Sequence, residues 1–438
     1  MIKNKFDAFV IFLVFTNIFL VSIFTRSFLG VSIFGFRIGE IYVGFLAVFA
    51  FLVLLSKSYF YEFKSMNNLY FVVLIFTLGL FLFHKSNFSN VYIFKSSSFV
   101  WIISSLYLGY VFQKKYQVIN YFKVFVVIPF ILYVFNTGNY PNIFIDFFKK
   151  SYDKFQYTKG ADIVLISVIA ICIVIYFYNN LVIFRYILIL SSLILPLLQY
   201  MSRAAFISYL LSAVIFLFYL KAWRYISRKK IIVTFLISLI LFMGSYLRVA
   251  ETDFSFLLSE NNPETLVSDS IKKVNDNKDT TQVFLSFYFQ GNRLMSKDPT
   301  TNWRLDIWQD LIEDMIEEKN IAYGYGFNEI IPVMTDPEAP GRLGRDGLNE
   351  HVHNHFFTIL ARGGIAYLFL FIVFYFNLLK ILFNKVPKLI AVPFIVPIFL
   401  ISLFDITMDG VQHPLLFFMF LGIFISDNKY KDIIKNYE

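Results

Sequence analysis

The sequence has few charged residues and a single cysteine. Charged residues make up 16% of its 438 residues, and Cys172 is the only thiol. Soluble proteins carry about 25% charged residues, so this composition excludes an ordinary soluble domain. One cysteine also excludes an intramolecular disulfide and a cysteine-based metal site. The remaining composition is 58% hydrophobic, which is typical of an integral membrane protein.

Long apolar runs recur along the chain. They lie near residues 6–24, 40–56, 69–83, 97–112, 121–136, 161–178, 183–199, 205–220, 231–247, 364–383, 389–404 and 414–426. A spanning helix needs roughly 20 mostly apolar residues. The first run follows Lys3 and Lys5 without a small-residue cleavage site, so we expect it to be retained as a span. The pattern predicts an all-α polytopic membrane protein with about twelve transmembrane helices.

Lysine and arginine are unevenly divided between alternate connecting segments. With the N-terminus placed in the cytoplasm, the cytoplasmic segments hold 19 of them and the short outer segments hold 9. Basic loops favour the cytoplasmic side, so this bias predicts a bacterial inner-membrane protein, in contact with membrane lipids, with both termini cytoplasmic. The formal net charge of +9 is then a topology signal. No nucleic-acid partner is expected, because the basic residues are not gathered on one soluble face.

Residues 248–353 break this pattern. They contain 19 acidic and 10 basic residues, a net charge of −9, whereas the rest of the chain carries +18. Loops this long are usually functional or disordered. We therefore predict three regions: transmembrane helices 1–9 in residues 1–247, a large periplasmic loop with the catalytic motifs in 248–353, and helices 10–12 with a cytoplasmic tail in 354–438.

An amphipathic helix is predicted inside this loop, which argues against disorder throughout it. Its apolar stripe consists of Trp303, Ile307, Trp308, Leu311, Ile312, Met315 and Ile316. Its acidic residues, among them Asp306 and Asp310, are expected to face away from that stripe. Thr301 or Asn302 is the predicted N-cap.

Three of the five histidines, His351, His353 and His355, lie within five residues just before an apolar run. One interpretation is a polar cluster that anchors the next helix at the membrane interface. A second is a metal site, for which Asp346 or Glu350 would supply a third ligand, since alternate histidines in an extended stretch offer two at most. A third is a general base, because imidazole titrates near neutral pH and can take a proton from a sugar hydroxyl.

Two arginines are predicted on the same side of the membrane as these histidines. Arg203 lies in a short link between two apolar runs, and Arg304 begins the amphipathic helix. Arg203 can simply extend to the lipid headgroups, and Arg304 can be a solvated turn residue. Guanidinium groups also bind phosphate oxygens bidentately, so the set suggests a lipid-phosphate substrate.

Polar residues also flank the last predicted outer loop. Asp405, Asp409 and His413 are candidates for lining a site there, although an ordinary loop explains them equally well.

The order of the motifs over roughly residues 200–383 resembles the superfamily of O-antigen polymerases and O-antigen ligases, which are membrane glycosyltransferases. The motifs are, in order, Ser202-Arg203, Arg304 with Trp308, Tyr323-Gly324-Tyr325-Gly326-Phe327, His353-Asn354-His355-Phe356-Phe357 and Arg362-Gly363-Gly364-Ile365. The Gly-x-Gly segment alone lacks the context of a dinucleotide site and is predicted to be a tight turn.

The resemblance implies an inverting glycan transfer from an oligosaccharide linked to undecaprenyl diphosphate, with no metal and no cofactor. By this resemblance His353 is the catalytic histidine, with His351 as the alternative base, and Arg203 and Arg304 bind the diphosphate. Further residues expected to line the site are Asn354, His355, Arg362 and His413. A chain-length regulator protein is a candidate partner.

Two related activities and one unrelated activity remain as hypotheses. A polymerase joins one lipid-linked repeat unit to another, and a ligase moves the finished polymer to lipid A-core. We favour the polymerase, because polymerases diverge more and this sequence fits the pattern loosely. A lipid-linked oligosaccharide transporter is the alternative from another class, but transporters commonly contain internal repeats with sites at the bilayer midplane.

Overall fold

The computed structural model describes residues 5–55, 64–151, 155–220, 226–252, 286–337, 339, 341–343 and 350–427. Asp346 and the predicted cytoplasmic tail from residue 428 onward lie outside these residues. The α-helices are α1 (Lys5–Gly30), α2 (Ile38–Leu55), α3 (Lys64–Phe83), α4 (Val91–Ser96), α5 (Ser98–Trp101), α6 (Ser105–Tyr116), α7 (Ile128–Asn136), α8 (Asn142–Ser151), α9 (Gly160–Phe177), α10 (Asn180–Met201), α11 (Arg203–Leu220), α12 (Arg228–Glu251), α13 (Pro299–Glu317), α14 (His355–Lys385), α15 (Lys388–Ser402) and α16 (Gln412–Ser426).

Two antiparallel hairpins are the strands found among the described residues. The first pairs β1 (Ser32–Ile33) with β2 (Phe36–Arg37), and the second pairs β3 (Phe287–Gln290) with β4 (Arg293–Ser296). Both hairpins lie in connections between helices, so the expectation of an all-α chain holds for the apolar runs but not for these two connections.

Among the described residues, seven helices are long and apolar enough to cross a membrane, namely α1, α2, α3, α9, α10, α12 and α14. The other five predicted runs fall on shorter or broken helices: α5 with α6, α7 with the 3-10 segment before it, α11, α15 and α16. The chain is therefore a polytopic helical membrane protein, and the count of twelve crossings stays a prediction.

Helix α9 lies at the centre of the bundle. Within its apolar window 94% of the residues are buried, and α7, α10, α11, α15 and α16 pack around it. Composition alone does not explain this central position, because α12 is also apolar enough to cross a membrane. In α12 only 17% of the window is buried, as suits a helix whose surface is left to lipid.

Both ends of the described chain reach the same end of the bundle. The Lys115 ammonium lies 3.7 Å from the carboxylate of Asp7 in α1. Gln113, two residues before Lys115, donates a 2.5 Å hydrogen bond to Asp427, which follows α16. Such an arrangement is what an even number of crossings produces. Which compartment this end faces stays a prediction from the charge bias.

The predicted amphipathic helix is α13, and it packs over a small hydrophobic core of its own. Ile307, Leu311 and Met315 are fully buried there, together with residues of the segments 331–334 and 352–361. The predicted N-cap is wrong. The cap is Asp298, whose carboxylate accepts hydrogen bonds of 3.0 Å from the Thr301 amide and 2.6 Å from its hydroxyl. The helix therefore begins before the apolar stripe does.

The acidic face of α13 binds arginines from outside the helix. Asp306 accepts hydrogen bonds from Arg293 at 3.0 Å and from Arg342 at 2.7 Å. Both arginines also contact Asp310. These ion pairs hold the second hairpin and the segment 341–343 against the helix, and a paired network is worth more than isolated surface pairs.

Helix α14 is broken at Gly364, and the predicted tight turn at Gly324 fits into the break. Gly364 has φ +74°, and a Cβ there would lie 2.2 Å from the Ala322 carbonyl oxygen. Gly324 has φ +68°, and its Cβ would lie 2.6 Å from the Ala361 carbonyl oxygen. Tyr325 donates a 2.7 Å backbone hydrogen bond to that same oxygen. Only glycine accommodates both the left-handed backbone and the close approach, so the prediction of a turn is confirmed.

Candidate functional site

Polar residues from five separate segments converge at the end of the bundle that carries the large loop. Lys159 immediately precedes α9, Arg203 begins α11, and Arg304 lies on the second turn of α13. His353 lies in the link before α14, and Asp405 in the link between α15 and α16. These residues are far apart in sequence, so only the packing of the helix ends brings their charges together.

Arg203 links the bundle to the large loop. Its Nη1 atom lies 3.2 Å from Asp298 Oδ1. Asp298 is also the N-cap of α13, so one carboxylate fixes the start of this helix and faces the start of α11. The Arg203 side chain is 39% exposed, so it lies at the surface of this cluster.

Arg304 is partly buried. Its Nε atom is enclosed, and within the described part of the chain no hydrogen-bond partner reaches it. Burial lowers the pKa of Arg304, whereas the negative charges of Asp405 and Asp298 oppose that shift. An arginine remains charged in proteins, so an enclosed N–H of this kind favours an anionic ligand.

His353 contacts an aromatic ring and lies near this arginine. Its imidazole meets the Trp303 ring edge-on, with the ring centroids 4.9 Å apart. Burial lowers the pKa of His353 to about 3, and the positive charge of Arg304 contributes to the shift. The imidazole is therefore neutral at pH 7, the form that can accept a proton.

The backbone at His353 has φ +55°. Histidine is among the residues enriched at such left-handed positions, but the conformation still carries a cost that clusters at functional sites. The backbone thus turns His353 and His351 toward different surroundings.

Asp405 and Lys159 form the other side of the cluster. The Lys159 ammonium lies 3.8 Å from Asp405 Oδ1. Burial by itself would raise the pKa of Asp405, but the cations Lys159 and Arg304, together with the nearby His353, outweigh it and lower the pKa to about 2. This carboxylate is therefore ionised and acts as the counter-ion of the cations around it.

His351 faces a different group of charges. Burial lowers the pKa of His351 to about 4, Asp409 opposes the shift, and Arg362 and Lys95 add to it. Lys95 itself donates a 2.6 Å hydrogen bond to Glu350. His351 is therefore associated with α4 and the buried side of α14, and His353 with the arginines.

His355 is fully enclosed by the bundle. Its Nδ1 atom lies 2.5 Å from Asp409 Oδ1 and its Nε2 atom 2.8 Å from the Tyr375 hydroxyl. Asn354 caps α14, since its side-chain oxygen accepts the backbone N–H groups of residues 356 and 357, and it donates a 2.9 Å hydrogen bond to the Leu403 carbonyl. Both side chains thus order the helix start behind His353.

Arg362 and His413 are also buried, away from the open side of the cluster. Arg362 donates hydrogen bonds to the carbonyls of Gly326 at 3.0 Å and Glu329 at 2.6 Å, and to the Tyr92 hydroxyl at 3.0 Å. His413 Nδ1 lies 3.0 Å from an Asp162 carboxylate oxygen. The structure thus places Arg362 in the joint between α14 and the glycine turn, and His413 in the bundle.

Sequence reasoning did not single out Lys159 or Asp298. Lys159 directly precedes an apolar run, a pattern that also describes an ordinary interfacial anchor. Asp298 directly precedes Pro299, a pattern that indicates a helix start but not an ion pair with Arg203. Among the described residues, no group of three His, Cys, Asp or Glu side chains is arranged to hold a metal ion.

Comparison with known proteins supports the resemblance found in the sequence. Residues 187–372 match the sequence model of a family described as O-antigen ligase (Wzy_C). The matched stretch contains Arg203, Arg304 and His353, and it ends inside α14. No curated protein matches the chain.

Proposed function

We propose that this protein is an O-antigen, or surface-polysaccharide, polymerase. It transfers a glycan from undecaprenyl diphosphate to a hydroxyl group of a second lipid-linked repeat unit, with inversion at the anomeric carbon, on the periplasmic face of the inner membrane. The resemblance to membrane glycosyltransferases that act on lipid-linked glycans, together with the match over residues 187–372, supports this class of reaction.

The observation that carries the proposal is the pairing of Arg304 with His353. The enclosed Nε of Arg304 has no partner among the described residues, and His353 is close enough for the arginine charge to lower its pKa. A leaving diphosphate bound by Arg304 would therefore lie beside the imidazole. This gives a base and an anion site within one small region, as inverting transfer from a lipid diphosphate requires.

The reaction follows from these groups. The acceptor hydroxyl oxygen attacks the anomeric carbon and forms the new C–O bond, while its proton passes to the neutral His353. The C–O bond to the diphosphate breaks on the opposite side of the sugar, and Arg304 and Arg203 stabilise the charge on the departing lipid diphosphate. Fixed charges at the position where charge develops are often the largest contribution to catalysis.

A ligase is the second candidate, and it is favoured by the match to a family described as O-antigen ligase. The donor and the chemistry are the same, but the acceptor is lipid A-core. The donor half of the site described above suits either activity, so the two differ only in what approaches His353.

Gene deletion followed by gel analysis of lipopolysaccharide tests the choice. Loss of a polymerase is expected to leave core carrying a single repeat, whereas loss of a ligase leaves bare core with polymer stranded on its carrier. An unchanged pattern would contradict both.

Purified protein is expected to elongate a lipid-linked repeat in excess EDTA. Movement of the lipid-linked glycan across a vesicle membrane without any new glycosidic bond would instead indicate a transporter.

A further inference from the structure

We infer that Lys159 is a third cationic ligand of the donor's diphosphate, and that Asp405 is the counter-ion of Lys159 until the donor binds. This inference rests on the proposed function, since it concerns the same donor. It adds a residue from the N-terminal half of the chain, outside the stretch that matches the family.

Packing places Lys159 beside the two arginines. The next residue, Gly160, lies so close to the start of α11 that a Cβ there would be 3.2 Å from the Ala205 Cβ and 3.4 Å from the Ser202 Cβ. Ser202 immediately precedes Arg203. Lys159 thus lies at the point where α9 meets the start of α11.

A second contact fixes the chain on the other side of Lys159. The hydroxyl of Ser27 donates a 2.7 Å hydrogen bond to the Gln156 carbonyl, and the Gln156 amide lies 3.1 Å from the same hydroxyl. This joins the segment before α9 to the last turn of α1 and brings Arg26 near Lys159. The contacts of the neighbouring residues therefore fix the backbone position of Lys159. Its side chain is 34% exposed and remains accessible.

The charges in this region do not balance. The cations of this region, among the described residues, are Arg26, Lys159, Arg203 and Arg304, and the carboxylates that act on them are Asp162, Asp298 and Asp405. The cations therefore exceed the carboxylates by one. A diphosphate that links a lipid to a sugar is an anion, so this net positive charge favours its binding.

The geometry of the Lys159–Asp405 pair suits an exchange of partners. At 3.8 Å the two groups attract each other without a direct hydrogen bond. An ammonium is a compact donor on a flexible stem, so Lys159 can turn from Asp405 to a phosphate oxygen with little rearrangement. Arg304 and Lys159, which both act on Asp405, would then both contact the diphosphate.

Binding of two lipids to the full-length protein in detergent tests the inference. The ligands are undecaprenyl diphosphate and undecaprenyl monophosphate, measured by the change in tryptophan fluorescence. Lys159→Gln is expected to weaken binding of the diphosphate about tenfold or more, as for loss of a charged hydrogen bond, and to reduce the preference for diphosphate over monophosphate. Lys159→Arg is expected to keep most of that preference.

The matched control is Lys150→Gln, since Lys150 is an exposed lysine of α8 at the same end of the bundle. Its binding is expected to equal that of the wild type. If Lys159→Gln retains the wild-type preference while Arg304→Gln loses affinity, the inference is overturned and the proposed function stands. If the wild-type protein binds neither lipid, the proposed function itself fails.

A second measurement needs no variant and is therefore independent of folding. An amine-acetylating reagent applied to the wild-type protein is expected to modify Lys159 and Lys150, as quantified by mass spectrometry. Undecaprenyl diphosphate should protect Lys159 and leave Lys150 unchanged. Equal modification of Lys159 with and without a saturating amount of lipid would refute the contact.

Discussion

The imidazole of His355 bridges Asp409 and Tyr375 inside the bundle, with Nδ1 2.5 Å from the carboxylate and Nε2 2.8 Å from the hydroxyl. His355 is 2% exposed, and it begins α14, two residues after His353. The three neighbouring histidines thus differ in environment, and this difference can be tested residue by residue.

His355→Ala is expected to reduce stability. The substitution leaves the Asp409 carboxylate and the Tyr375 hydroxyl buried without their partner, a loss of about 1–3 kcal/mol per uncompensated group. Thermal unfolding of the purified protein in detergent measures this, with His353→Ala as the matched control because His353 is only partly buried. Equal melting temperatures for His355→Ala and the wild type would contradict the prediction.

His353→Ala is expected to lower the rate of glycan transfer by about 10²–10⁴-fold, the usual contribution of a general base, without loss of donor binding. His351→Ala is expected to have a smaller effect, since His351 faces Asp409 and Arg362 rather than Arg304. Single-turnover transfer and donor binding are measured separately for each variant. If His351→Ala abolishes transfer and His353→Ala does not, the base is the other histidine.

The rate of transfer is expected to be nearly independent of pH between about 5.5 and 8 when donor is limiting. Burial and the charge of Arg304 lower the pKa of His353 to about 3, so the base is already neutral throughout that range. Removing the cation in Arg304→Gln raises the pKa and should move the acidic limb toward neutral pH. A wild-type transfer rate that rises with pH around 6.5 would contradict this prediction, because His353 would then titrate like an exposed histidine.

The same two histidines predict how stability depends on pH. Because the pKa values of His351 and His353 are about 4 and about 3 in the folded protein and about 6.5 when unfolded, the unfolded chain binds more protons between these values. The free energy of unfolding should therefore be highest above about pH 6.5 and fall as the pH decreases toward 4. The double variant His351→Gln with His353→Gln should show a flatter dependence, and an unchanged slope would contradict the assignment.

Arg304→Lys is expected to impair transfer more than Arg203→Lys. Lysine keeps the charge but loses the planar fork, and Arg304 is the more enclosed of the two, whereas Arg203 is 39% exposed and already faces Asp298. Transfer assays on protein that accumulates normally measure this, with Arg37→Lys on the exposed first hairpin as the control. Wild-type activity in both Lys variants would mean that neither arginine binds the diphosphate.

The sequence determines the membrane architecture to a large extent. Apolar runs of spanning length force helices, because backbone groups in lipid must be hydrogen-bonded within the segment. Each predicted run accordingly lies on helical backbone. The stripe of Ile307, Leu311 and Met315 likewise predicted α13, since burial of one helical face follows directly from a period of 3.6 residues.

Local patterns were less informative about where elements begin and what polar groups contact. Thr301 and Asn302 had the right chemistry for an N-cap, but Asp298 takes that position because Pro299 is preorganised for the first helical residue. The predicted position of Asp306, away from the apolar stripe, did not indicate its partners, which are Arg293 and Arg342. Both partners lie outside the helix, so the helical periodicity of the sequence does not predict these contacts.

Tertiary structure decided which residues of the candidate site lie together. His353 and Arg304 were named from their motif, but Lys159 and Asp405 meet 3.8 Å apart from positions 246 residues apart in the chain. Adjacent histidines at 351, 353 and 355 read as one cluster in the sequence. A left-handed residue at His353 and the start of α14 separate them into three environments, because the direction of a side chain is set by the backbone and by the helices packed against it.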